Sequence, residues 1–158
     1  MNFNEFYQAL SDTPPNRIVF VGLGNPQRGD DAAGLVLTQR LMAQNALRGA
    51  RFIQAGTNPE NYTDKIVKDR PARVIFIDAA QLHQPAGTII FVDQNQLIVN
   101  QFSTHTYSVS VVAAFCQARG AGQCRFLAIQ PAQTNLGQPL SVAVEQAINR
   151  FFNSEPTA

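Results

Sequence analysis

Four side chains stand where they can do chemistry. Asp30 and Asp31 close a glycine-rich turn, Val21-Gly-Leu-Gly-Asn-Pro-Gln-Arg-Gly-Asp-Asp31. Asp78 ends the apolar run Val74-Ile-Phe-Ile-Asp78, and a carboxylate in that position is expensive to bury without a partner. His105 lies in the polar stretch Phe102-Ser-Thr-His-Thr-Tyr107. Two carboxylates and an imidazole make an N/O site with open positions, which suits a divalent cation such as nickel or zinc. Each residue also has a plainer use. Asp30, just before Asp31-Ala-Ala-Gly-Leu-Val-Leu37, is a good helix N-cap, and capping is the reading preferred for it. Asp31, one step further, projects from the first turn over the end of the sheet, where the helix dipole favours negative charge. Asp78 can cap a strand end, and a lone loop histidine is more often surface material. The competing histidine, His83, sits in a Gln/Pro-rich connector that positions nothing.

The elements that carry these residues alternate. Strand-like runs fall at 17–23, 50–55, 73–78, 88–92 and 124–130, and helical patterns at 3–11, 31–48, 59–69, 107–118 and 139–152. Alternation of this kind implies an α/β fold: a three-layer α/β/α sandwich around a mostly parallel, five-stranded sheet. Residues 79–87 are too few for a helical crossover, so 88–92 is expected to run antiparallel to its neighbour. The chain reads as a single domain over 1–158, with residues 1–16 as an N-terminal extension and 153–158 as a frayed tail. In such a sheet, ligands bind at the carboxyl ends of the strands. The first loop, Asp78 and the His105 loop all belong to that edge.

Composition and charge exclude several classes. Twelve basic against eleven acidic residues give a formal charge of +1, with none of the surplus that drives nucleic-acid binding. No apolar run is long enough for a membrane span, and the N-terminus lacks the pattern of a signal peptide, so a cytoplasmic protein is expected. Cys116 and Cys124 form no C-x-x-C pair and read as reduced core residues. Gly22-x-Gly24 is half of a dinucleotide fingerprint. The third glycine is replaced by Gln27, the second strand ends in Ala55-Gly56 without its acidic residue, and Asp30 and Asp31 would repel phosphates. Val21-Gly-Leu-Gly-Asn-Pro26 also begins as peptidyl-tRNA hydrolases do, but the catalytic histidine of those enzymes does not follow.

Taken in order, the motifs resemble those of the NiFe-hydrogenase maturation endopeptidases. The likeness comprises Gly22-x-Gly24-Asn25 with Gly29-Asp30-Asp31-x-x-Gly34, then Gly56-Thr-Asn-Pro-Glu-Asn61, then Arg70-Pro-Ala-Arg-Val-Ile-Phe-Ile-Asp-Ala79. Ser103-Thr-His105 and Phe126-Leu-Ala-Ile-Gln-Pro131 complete it. The branch it is most similar to serves the hydrogenases of formate hydrogenlyase.

The resemblance implies an endopeptidase that removes a C-terminal extension from the precursor of a hydrogenase large subunit after nickel insertion. Asp31, Asp78 and His105 would then be the catalytic and metal-contacting triad. The first of these is Glu in some relatives, so Asp31 reaches one methylene less far. Asn25, Gly56 and Thr57 would touch the substrate, Asn25 as a turn former or as a donor to the developing oxyanion. The cation would be the nickel of the substrate, with zinc or another divalent ion able to occupy the place, and no organic cofactor is implied. The partner would be the nickel-loaded precursor, and the protease a monomer. Attack by a water on the cation and general-base action by Asp31 or Asp78 both remain open. Beside this reading stand a non-catalytic metal-binding or chaperone-like module for the precursor, and peptidyl-tRNA hydrolysis.

Overall fold

A computed structural model describes residues 1–96 and 104–153, with the backbone alone for 104–108. Its strands are β1 (Ile18–Leu23), β2 (Arg51–Gly56), β3 (Arg73–Ala79), β4 (Ile89–Asp93) and β5 (Gln123–Ile129). Its helices are α1 (Phe3–Ala9), α2 (Ala33–Met42), α3 (Thr63–Val67), α4 (Thr104–Ala118) and α5 (Val142–Asn153). The sheet order is β2-β1-β3-β5-β4. Neighbours pair in parallel except β4, which runs antiparallel to β5 at the edge, as the short connector requires. The α/β/α expectation therefore holds.

Alternate residues of the strands feed two cores, as a pleated sheet covered on both faces must. On one face Ile18, Phe20, Ile75, Ile77, Leu127 and Ile129 meet Phe6 of α1, Leu37 and Leu41 of α2, and Ile148 and Phe151 of α5. On the other, Val19, Val21, Val74, Phe76 and Phe126 meet Ile66 of α3 and Val112, Ala113 and Cys116 of α4. The N-terminal segment is thus part of the core, since Phe6 is fully buried and stacks on Phe91 at 5.4 Å. Cys116 and Cys124 are buried and unbonded, as expected.

Several helix boundaries differ from the periodicity. The run expected at 31–48 begins as a 3-10 turn, Gly29–Ala32, becomes α2 at Ala33, and ends at Met42. A separate 3-10 turn at Asn45–Leu47 follows, and it buries Leu47. The run at 59–69 splits into a 3-10 turn, Pro59–Tyr62, and the five-residue α3. Its end is set from outside. The Arg51 guanidinium donates to the carbonyl oxygens of Lys65, Ile66 and Lys68, and the chain then turns through positive φ at Asp69 and Arg70. Helix α4 starts at Thr104, not 107, which puts His105 in its first turn. Of the frayed tail expected at 153–158, Asn153 is instead the last residue of α5, and residues 154–158 lie outside the described residues.

Candidate functional site

From β1 the chain moves out to β2 and returns past it to β3, so the strand order reverses beside β1. The carboxyl ends of β1, β2 and β3 therefore open a crevice, the place where sheets of this kind bind ligands. The crevice is lined by Leu23 at the end of β1, Gly24 of the first loop, Gly56 at the end of β2, and Thr57 and Pro59 after it. Asp31, Asp78 and Val109 of α4 complete the wall.

Asp31 is half-buried in the 3-10 turn that begins the α2 region. Its Oδ2 accepts the backbone N–H of Asn25 at 3.0 Å, which fixes the carboxylate across the turn. The turn is tight because Gly24 has φ +134°, and a β-carbon on it would lie 1.8 Å from the Asp31 carbonyl oxygen. The Asn25 Oδ1 accepts from the Gln27 N–H at 2.9 Å, an Asx turn, so this side chain shapes the loop by one of the two uses expected of it. Gly24 also donates its N–H to the Gly56 carbonyl at 3.0 Å, tying the first loop to the second. Thr57 is exposed at the crevice and its hydroxyl donates to Asn58 Oδ1 at 2.7 Å.

Asp78 forms the floor. Behind it lies an apolar hollow walled by Phe76, Ala80, Val109, Phe126, Leu127 and Ala128. Burial against that hollow pushes the Asp78 carboxyl up to about 8 from the ordinary 3.8. The negative charge of Asp31 adds to the rise, and the backbone N–H of Ala79 opposes it. Two carboxyl groups that share a cleft and resist ionising together are an arrangement a cation relieves, and also one that divides the roles of proton donor and acceptor.

Of the six residues expected to act in catalysis, metal contact or substrate binding, the structure brings Asp31, Asp78, Gly56 and Thr57 into one cleft, with the Asn25 backbone bracing Asp31. His105 is placed by its backbone in the first turn of α4, one turn before the cleft residue Val109, and its side chain lies outside the described residues. Among the described residues no group of three His, Cys, Asp or Glu side chains gathers to hold a metal, so two carboxylates are the donors seen. His83 is exposed, with φ +55°, and is not among the residues that line the cleft. Sequence reasoning missed Pro59 and Val109, ordinary core-type residues whose only signal is their nearness to Gly56 and His105.

Asp30 is not the helix cap expected of it. Helix α2 has Ala32 at its N-cap position and no side-chain cap bond there. The Asp30 side chain is fully buried and points the other way. Its Oδ2 accepts from Ala132 N–H (2.8 Å), Gln133 N–H (3.2 Å) and the Ser141 hydroxyl (2.8 Å), and its Oδ1 from Ser141 N–H (2.7 Å). The reason is electrostatic economy: four donors of the loop between β5 and α5 converge where a capping bond would satisfy one. Ser141 in turn accepts from Val144 N–H at 3.3 Å, so Asp30 supports the cap of α5 instead of capping α2.

A cleft of this form, with paired carboxyl groups at the switch point of an α/β sheet, is a ligand site equipped for acid–base chemistry, and known proteins narrow it to a hydrolase. The family model described as hydrogenase maturation protease matches residues 35–154. The hydrogenase 3 maturation protease of Escherichia coli K12 is 28% identical over 136 residues, covering 85% of each chain. The crystal structure of a NiFe-hydrogenase maturation protease, HycI, from Thermococcus kodakarensis superposes with a TM-score of 0.80 at 27% identity, covering 92% of both chains. That of the hydrogenase 3 maturation protease gives 0.70 at 26% identity, over 88% of this chain and 91% of that one. The chain belongs to the hydrogenase maturation protease family and is accordingly a peptide-bond hydrolase.

Proposed function

We propose that the protein is an endopeptidase acting on the precursor of a NiFe-hydrogenase large subunit, from which it removes the C-terminal extension once nickel has been inserted. The observation that carries this reading is the pair Asp31 and Asp78 in one cleft at the strand ends, where the charge of one raises the pKa of the other. The nickel, as part of the substrate, would be met by Asp31 and Asp78, with His105 as the third contact. A site of two carboxylates and one imidazole is poor by the standard of resident zinc sites. It suits an ion that arrives with most of its ligands, although zinc or another divalent ion can take the same place.

The chain's own residues then do three things. The backbone N–H of Asn25 holds one oxygen of Asp31 in place at the wall of the cleft. Asp31 accepts the proton of the attacking water, and Asp78, which keeps its proton to about pH 8, polarises the scissile carbonyl or yields that proton as the nickel docks. Gly56 and Thr57 lie along the wall where an extended peptide would run, Gly56 leaving room for its backbone. Docking of the ion thereby places the scissile bond against the base.

Incubation of purified protease with nickel-loaded and nickel-free precursor, followed by intact-mass measurement, tests the proposal. Loss of a C-terminal fragment from the nickel-loaded form alone, also in a mild chelator, is the expected result. Equal cleavage of both forms would remove nickel as the gate. Binding without any mass loss would make the protein a holding module.

A further inference from the structure

Gly34, three residues after Asp31, lies on the same side of the turn that opens α2. A β-carbon at Gly34 would sit 2.3 Å from the Ile77 carbonyl oxygen, 2.4 Å from that of Leu23 and 3.0 Å from the Cα of Asp78. The three contacts come from the ends of β1 and β3, so the start of α2 is seated on the backbone of both strands. None of the three can swing aside as a side chain would.

We infer that Gly34 is a positioning residue that sets the gap between Asp31 and Asp78 by letting the start of α2 rest on the ends of β1 and β3. This rests on the reading of that cleft as the peptidase site. Asp31 rides on the turn that Gly34 seats, while Asp78 belongs to β3 itself and stays with the sheet. Any side chain at position 34 lifts the turn and takes Asp31 with it. The lift needed to bring the contacts from 2.3 Å to the ordinary range above 3.4 Å is about an ångström. The short side chain of aspartate at position 31 is matched to that seating. Glutamate, one methylene longer by about 1.5 Å of bond, would reach across a gap that had been opened.

Gly34→Ala, Asp31→Glu and the double variant are the test, each assayed for cleavage of nickel-loaded precursor and solved crystallographically. Gly34→Ala should lose about 100-fold in cleavage, the scale of an ångström of misplacement, with Asp31 drawn away from Asp78 in the crystal. Asp31→Glu alone should also lose activity. In the Gly34→Ala background the same change should recover about tenfold, a rescue that mere loss of stability would not show. Wild-type cleavage by Gly34→Ala, or a double variant no better than Gly34→Ala, would overturn the assignment. If Gly34→Ala does not fold, the Asp31→Glu crystal decides: its longer carboxylate driven against Asp78 or turned out of the cleft supports a gap set for aspartate, and an undisturbed cleft with wild-type activity refutes it. Should the wild-type protein cleave nothing, the peptidase reading falls, and the carboxylate separation in the Gly34→Ala crystal still decides this one.

Discussion

Removing the Asp30 carboxylate is expected to cost far more than removing a helix cap. Its two oxygens accept three backbone N–H groups and one hydroxyl, at 2.7–3.2 Å, all from residues 132–141. Hydrogen bonds to a charged acceptor contribute about 1.5–3 kcal/mol each, and these are partly buried, so the lower end applies. In Asp30→Asn the amide group takes the Oδ1 side, where one donor, the Ser141 N–H, would face it, and three bonds survive on the other oxygen. That variant should lose about 2 kcal/mol. Asp30→Ala leaves all four donors without their acceptor and should lose about 4–6 kcal/mol, a large part of the stability of an ordinary domain. Loss of an N-cap alone would cost only about 0.5–2 kcal/mol. Urea unfolding followed by far-ultraviolet circular dichroism measures the difference, provided the slope with urea is unchanged. A cost under about 2 kcal/mol for Asp30→Ala would refute the clamp and restore the cap.

Two further outcomes follow from the acidic pair. Asp31→Asn should keep the fold and lose cleavage, and by removing the neighbouring negative charge it should bring the Asp78 carboxyl below about 8; carboxyl NMR titration and the mass assay read both. For stability the sign runs through Asp78, whose folded pKa lies above the unfolded value near 3.9. The folded state therefore keeps a proton that the unfolded chain has released, and the stability this gives is full below pH 4 and lost as pH rises through about 8. Asp78→Asn should accordingly unfold at a higher temperature than the metal-free wild type at pH 8–9, with the gap closing below pH 5, as melting curves across that range will show.

The strands were legible because both cores draw on unbroken apolar runs, and the antiparallel β4 because nine residues cannot build a crossover. The cleft was legible for a related reason: Gly56 and Asp78 stand at the carboxyl ends of strands, Asp31 lies in the turn after one, and parallel strands end on one edge. Helix ends were not legible where distant residues set them. Nothing near Val67 announces that Arg51 will stop α3 there. Asp30 was misread because an aspartate before a helix looks the same whether it caps that helix or reaches residues more than a hundred positions away. Gly34 was visible as part of a motif, yet its contacts with the ends of two strands exist only in the folded sheet.

The Asp30 clamp also bears on when this protein becomes competent during its synthesis. Chains emerge from the ribosome amino end first, so the turn that carries Asp31 emerges well before the loop that follows β5. The four partners of the neighbouring Asp30, at positions 132–141, come more than a hundred residues later. Further backbone bonds between the two loops, Gly29 to Gln138, Asp30 to Gln133 and Gly137 to Gln27, share the same wait. A nascent chain that has laid down β1, β2 and β3 therefore owns both carboxyl groups without the clamp on the turn that carries one of them. The clamp closes only once the segment beyond β5 has emerged, so a shorter nascent chain carries Asp30 and Asp31 on an untethered turn.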